Sequence, residues 1–225
     1  MLPNRENTKM TFPKKLKLCI GLALLSIAGF ITPAQATANV NVDFSNPAFA
    51  PVTGPTSIPI GHAIFCQTRP EECGPNSSIV SAVTLTEELW RDLVTVNAQF
   101  NSSIVSVSDM DLYQVEEFWT YPNGYGDCEE YALAKRRELI ARGWNPSTLL
   151  IAVLRQTSGE GHAVLMVRTD RGDLVLDNLA GLIKTWDQTP YQYIKRQSQT
   201  NAGQWVDIAD NRPMSTLNIL LAQRQ

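Results

Sequence analysis

From residue 84 onward the order of apolar and polar positions changes period twice, and each change predicts a different kind of element. Leu89, Leu93, Val96 and Phe100 recur at helical spacing behind Thr84 or Thr86, either of which can cap, and Glu87 and Glu88 suit a first turn, so a helix is predicted over about 85–100. Residues 102–126 mix Tyr113, Phe118, Trp119, Tyr121 and Tyr125 with Pro122, Gly124 and Gly126. This predicts loop with a short helical piece, its aromatic residues serving as core rather than as a substrate platform. A second helix is predicted over Asp127 to Arg142, where Tyr131, Leu133, Ala134, Leu139 and Ile140 make an apolar face. Lys135, Arg136, Arg137 and Arg142 charge its C-terminal half before Gly143. The period then becomes that of strands: Leu149 to Leu154, Ala163 to Val167 and Leu174 to Leu176, with Asp170-Arg171-Gly172-Asp173 as a turn between the last two. A short strand near Trp205 to Ile208 and a helix over about Pro213 to Ala222 complete the pattern. Helices followed by hairpin-linked strands define an α+β domain with helices packed on an antiparallel sheet.

Upstream of this pattern the periodicity fades. Residues 37–63 carry Pro47, Pro51, Pro55 and Pro59 and read as an extended Pro-rich lead-in, leaving 64–225 as a single domain. Residues 1–36 read as a secretory signal peptide. Lys14, Lys15 and Lys17 precede the apolar run Leu18 to Ile31, and Ala34-x-Ala36 predicts cleavage before Thr37. That run is shorter than the roughly 20 residues a spanning helix needs, so no membrane insertion is expected after cleavage. Removing Arg5, Lys9, Lys14, Lys15, Lys17 and Glu6 takes the formal charge from −3 to about −7, which argues against nucleic acid as a partner.

Export changes the meaning of the four cysteines. Cys19 leaves with the signal peptide, and Cys66 and Cys73, close together in a Pro- and Gly-rich segment, favour a small disulfide loop. Cys128 is then the unpaired thiol, and it opens the second predicted helix. Unpaired N–H groups and the positive end of the dipole favour a thiolate there. Asp127 is a good N-cap, Glu130 completes a possible capping box, and Gly124 and Gly126 let the chain turn sharply into the helix. Thiol catalysis also needs a base and a group to orient it. Of the two histidines, His62 lies in the Pro-rich lead-in, whereas His162 opens an apolar strand at the edge of the sheet. Asp177 ends the apolar run Leu174-Val175-Leu176, an expensive place for an unpaired carboxylate. A hairpin symmetric about 169.5 places His162 opposite Asp177, while a tight turn at Arg171-Gly172 offsets them by four positions; both registers share a face, and only the first gives direct contact.

The runs Val107-Ser108-Asp109, Phe118-Trp119, Gly126-Asp127-Cys128-Glu129-Glu130-Tyr131-Ala132, Lys135-Arg136, His162-Ala163-Val164-Leu165 and Val175-Leu176-Asp177-Asn178-Leu179, with the Cys66 to Cys73 loop, cover about residues 64–195. In them the chain resembles the bacterial transglutaminase-like cysteine proteinases, the LapG-type periplasmic adhesin proteases. The resemblance implies a papain-like, transglutaminase-type fold with Cys128 as nucleophile, His162 as base and Asp177 as orienter. It also implies calcium held by the acidic residues beside the nucleophile, Asp127 and Glu129, with Glu130 standing where the family often has Asp. A substrate that is a large secreted adhesin cut near its N-terminus, biofilm control, a periplasmic location and an inhibitory inner-membrane cyclic di-GMP receptor follow from the same resemblance.

Each of these residues also has a plainer reading. An isolated Cys128 is a small buried hydrophobe, His162 a strand-end histidine, Asp177 a turn residue, and Asp127 and Glu129 a cap and a dipole partner. Their ordered recurrence favours the catalytic reading. Acyl transfer to an amine by a transglutaminase or amidase uses the same triad, and a binding module without chemistry is the remaining alternative. Zinc at Cys128, His162 and Asp177 lacks the usual paired-ligand spacing.

Overall fold

A computed structural model describes residues 45–222. The predicted signal peptide lies outside the described residues. The elements run β1 Val52–Thr56, α1 Ile60–Thr68, α2 Glu87–Ser103, β2 Val105–Ser106, α3 Asp109–Tyr113, β3 Tyr125–Gly126, α4 Cys128–Ala141, β4 Leu149–Arg155, β5 Gly161–Thr169, β6 Gly172–Leu176, β7 Lys184–Thr185, β8 Gln192–Gln197, β9 Trp205–Ile208 and α5 Met214–Ala222. No helix among the described residues is long and apolar enough to cross a membrane.

Local chemistry explains the helix starts. Thr86, rather than Thr84, caps α2 and accepts the Leu89 N–H at 3.2 Å, and the helix runs past residue 100 to Ser103. At α4, Glu130 reaches back to accept the Asp127 N–H at 2.9 Å. Within the charged half of α4, Arg137 and Arg142 are exposed, but Lys135 and Arg136 are buried, with exposures of 0% and 6%. Packing between α2 and the sheet leaves α4 little solvent-facing surface, so charge order along the helix does not report exposure.

The seven strands of the main sheet lie in the order β1-β9-β8-β4-β5-β6-β7, all antiparallel. Both faces are covered, which is why β4, β5 and β6 are continuously apolar instead of alternating. Leu149, Ile151, Leu165, Val167, Leu174 and Leu176 meet Leu93 and Val96 of α2 and Ala132 and Leu139 of α4. Ala152, Leu154, Val164, Met166 and Val175 pack on Ala50, Trp186, Tyr191, Tyr193 and Ile208.

The segment read as an extended lead-in is built into the fold. It supplies β1, which pairs with β9, and the first turn of α1, and the Ala50 N–H donates to buried Asp173 Oδ2 at 2.8 Å. Its prolines fit an edge strand, where an unpaired N–H is not missed, and only pairing with distant β9 reveals the strand. A Cβ on Gly172, at φ +104°, would stand 2.5 Å from the Ala48 carbonyl oxygen where this segment crosses the β5–β6 turn. The aromatic cluster divides: Trp119 is core, whereas Tyr113, Phe118 and Tyr125 are 39%, 37% and 52% exposed.

Candidate active site

Cys128 is the first residue of α4, and its placement depends on the glycine before the cap. A Cβ on Gly126 would lie 2.6 Å from Glu130 Cβ, so a side chain there would push the chain off the first turn. Gly126 also pairs with Ser106 in the small parallel β2–β3 ladder, which fixes the direction of entry. Cys66 and Cys73 form the expected disulfide, and Cys128 is the unpaired thiol of the described chain.

His162 and Asp177 meet in a register different from both expected ones. Thr169 pairs with Gly172 across a two-residue turn and Leu165 with Leu176, so extending the ladder would set His162 against Leu179, two positions from Asp177. The offset is even, so the two still share a face, and the diagonal is short enough for His162 Nε2 and Asp177 Oδ1 to lie 2.8 Å apart. Direct contact therefore does not require the opposed register. This bond leaves Nδ1 as the ring nitrogen that can exchange a proton with a thiol.

Asp177 is held from several sides. Its Oδ1 also accepts the Leu179 N–H at 2.9 Å, and its Oδ2 accepts the Tyr191 hydroxyl at 2.5 Å. Burial alone would raise this carboxyl. The hydrogen bond and charge of His162, then Tyr191 and Leu179, outweigh it and hold the group below the usual carboxylate value. Tyr191, which also meets the His162 ring edge-on at 5.6 Å, carried no sequence signal.

The thiol and imidazole line one cleft of about 440 Å³ with Pro59, Ile60, Glu117, Trp119, Asp127, Glu129, Val153, Gly161 and Ala163. Cys128 Sγ donates to Glu129 Oε2 at 2.8 Å. Burial first, then the charge and hydrogen bond of Glu129, push the thiol well above its usual value, while the Ala163 N–H acts in the opposite sense. Glu129 is itself raised to about 9, by burial and then by its hydrogen bond with Asp127 and that residue's charge.

The expected metal ligands Asp127, Glu129 and Glu130 fall into two overlapping groups rather than one. Asp127 joins Cys128 and Glu129 in the first and Asp109 and Glu130 in the second, with one ligand atom per residue, all within 4.8 Å of one another. Asp109 is the member that reading the acidic run beside Cys128 missed; it lies in the Val107-Ser108-Asp109 run and is brought in by α3, where Asp127 Oδ2 accepts its N–H at 3.2 Å. Glu130 is engaged by backbone, accepting the Thr120 and Asp127 N–H groups at 3.0 and 2.9 Å. Asp109 Oδ1 and Asp127 Oδ1 are buried and have no hydrogen-bond partner among the described residues. Burial first, with neighbouring acids adding to it, pushes Asp109 to about 6 and Glu130 to about 8. Crowded carboxylates with unsatisfied hard oxygens fit a calcium-type cation.

A thiol at a helix start, sharing a cleft with an imidazole oriented by a carboxylate, on helices packed against an antiparallel sheet, is the arrangement of a cysteine peptidase. Residues 52–213 match the family described as bacterial transglutaminase-like cysteine proteinase, and the chain belongs to that family. Among solved structures it is similar to calcium-bound LapG of Legionella pneumophila, at 23% identity over 61% of this chain and 81% of that one, with a TM-score of 0.46. It is similar to the same protein after EGTA treatment at 24% identity, covering 61% and 80% of the two chains, again with a TM-score of 0.46. Curated proteins give no match.

Proposed function

We propose that this cysteine proteinase is an exported, calcium-dependent endopeptidase that works in the periplasm and cleaves a large surface adhesin near its N-terminus, releasing it and so controlling attachment. The observation that carries the catalytic part is the cleft that Cys128 lines together with a His162 already bonded to Asp177. His162 Nδ1 takes the Cys128 proton, and the thiolate attacks the scissile carbonyl carbon. N–H groups at the start of α4 hold the oxyanion. The imidazolium, aligned by Asp177, then protonates the leaving amine. His162 next takes a proton from water, whose oxygen attacks the thioester, and the peptide acid departs as the thiol is restored. Because the thiol donates to Glu129 in this structure, its proton must change partner before the first step.

Asp109, Asp127 and Glu130 would hold the calcium ion, with Glu129 and Cys128 on the other side of Asp127. Bound there, the ion supplies positive charge to the first turn of α4. The substrate, the periplasmic location and an inhibitory inner-membrane cyclic di-GMP receptor rest on the resemblance in sequence. The test is to mix the protein from Thr37 onward with the N-terminal region of the host's largest secreted adhesin, with and without a calcium chelator. Cleavage is expected only with calcium and only with Cys128 present. Cleavage by Cys128→Ala would overturn the nucleophile, and cleavage under chelation would overturn the calcium requirement. Incorporation of a labelled amine in excess of hydrolysis would favour acyl transfer instead.

A further inference from the structure

Tyr191 donates to the triad carboxylate from a segment that no strand ladder holds. Between β7 and β8 the chain makes a 3-10 turn at Trp186–Gln188 and then passes through Thr189 and Pro190 outside the sheet. A cavity of about 300 Å³ adjoins this segment, and Asp177, Thr189, Pro190 and Tyr191 are among the residues that line it. Close packing therefore does not fix Tyr191 on that side, and the bond to Asp177 needs another restraint.

One side chain supplies it. Arg212, in the loop after β9, donates from Nη1 to the carbonyl oxygens of Trp186, Asp187 and Thr189 at 3.3, 2.9 and 3.0 Å, and from Nη2 to the carbonyl oxygen of Tyr191. Its Nε and Nη2 also reach Asp210 Oδ1 and Oδ2 at 2.8 and 2.7 Å, a two-pronged grip on a carboxylate whose side chain is 1% exposed. Asp210 Oδ2 accepts the Tyr193 N–H at 2.9 Å, which anchors the pair to β8. The guanidinium carbon lies 4.6 Å from the centre of the Trp186 ring. Six oxygens thus face the five N–H groups of one planar fork, a set that the three N–H groups of a lysine cannot serve.

We infer that Arg212 is a positioning residue for the triad: by gripping the carbonyls of the segment before β8 it sets the Tyr191 hydroxyl against Asp177, and through Asp177 it holds the His162 imidazole in its orientation. Every link is a direct contact. Arg212 Nη2 meets the Tyr191 carbonyl, the Tyr191 hydroxyl donates to Asp177 Oδ2 at 2.5 Å, and Asp177 Oδ1 lies 2.8 Å from His162 Nε2. The inference rests on the Cys128, His162 and Asp177 assignment and is independent of the substrate's identity.

The test follows alkylation of Cys128, the unpaired thiol, by iodoacetamide in the protein from Thr37 onward with calcium present. His162→Ala is the control: alkylation that it fails to slow would overturn the triad assignment itself. Arg212→Lys is expected to slow alkylation about tenfold, and to slow it by less than about twofold in a Tyr191→Phe background, where the hydroxyl it positions is already gone. In cleavage of the adhesin fragment the same substitution should lower kcat by a similar factor with KM unchanged. With His162→Ala slowed, a folded Arg212→Lys protein that reacts at the wild-type rate would overturn the inference. Equal slowing in both backgrounds would also overturn it, because general loosening of the fold does not depend on the Tyr191 hydroxyl. If Arg212→Lys does not fold, Asp210→Asn carries the same comparison, since it loosens the guanidinium without removing it. A slowing of about threefold that disappears in Tyr191→Phe supports the inference, and an unchanged rate or an equal slowing in both backgrounds overturns it.

Discussion

Asp177 shows how a buried carboxylate is made useful rather than merely tolerated. Three donors, His162 Nε2, the Tyr191 hydroxyl and the Leu179 N–H, converge on its two oxygens. The carboxylate therefore stays charged where burial opposes charge, and the imidazole it grips keeps one tautomer. Asp177→Asn preserves shape and loses both effects; kcat is expected to fall by about 10⁴ with KM little changed, measured on the cleaved adhesin fragment. Tyr191→Phe removes a single donor and leaves Asp177 Oδ2 short of a partner. It is expected to cost about 1–3 kcal/mol in urea unfolding and to lower kcat while the protein still folds.

At the scale of elements, α4 combines requirements that usually conflict. Its first turn presents a thiol to the cleft, buries the carboxylates of Glu129 and Glu130 next to it, and is entered through a turn that tolerates no side chain at position 126. The capping bond from Glu130 explains why an acid occupies a site with 0% exposure: its two oxygens accept the N–H groups of Thr120 and Asp127, tying α4 to the loop that brings Trp119 into the cleft. Gly126→Ala should displace Glu130 and cost about 1–3 kcal/mol, with activity lost at temperatures where circular dichroism still shows a folded chain. Thr86→Ala, which uncaps α2 far from the cleft, should cost about 1 kcal/mol and leave kcat unchanged.

Across the whole molecule, a plug of aromatic rings and sulfur ties α1 to β9 and to the loop that carries Trp119. His62 is 1% exposed, its ring lies 5.3 Å from both Trp119 and Trp205, and the Trp205 indole N–H donates to its Nδ1 at 3.1 Å. Burial, with Arg136 adding repulsion, lowers its pKa from 6.5 to about 4. An imidazole that is neutral when folded and protonated when unfolded contributes stability that is full above about pH 6.5 and is lost as pH falls toward 4. The loss is on the order of 3 kcal/mol, and His62→Gln should flatten the pH dependence of the urea midpoint between pH 7 and 4.5. The Cys66–Cys73 bridge closes a short loop beside this histidine, with a sequence separation of 7. Replacing both cysteines by serine should cost roughly 2–3 kcal/mol in unfolding measurements.

Much of this was legible in the chain. The helical spacing from Leu89 to Phe100, the unalternating runs of β4 to β6, the isolated strand at Trp205 and the unpaired Cys128 are consequences of local period and of cysteine count, and these act over a few residues. The sheet partner of β1, the diagonal from His162 to Asp177, the entry of Tyr191 and Asp109 into the site, and the burial of Lys135, Arg136 and His62 were not. Each depends on groups more than ten residues apart meeting in space, on β9 for β1, on α3 for Asp127 and on the segment before β8 for Asp177. The sequence by itself determined which residues can carry thiol chemistry and what elements hold them. Tertiary packing alone decided which charges are buried and against which partners, because desolvation and hydrogen-bond satisfaction are properties of the assembled interior.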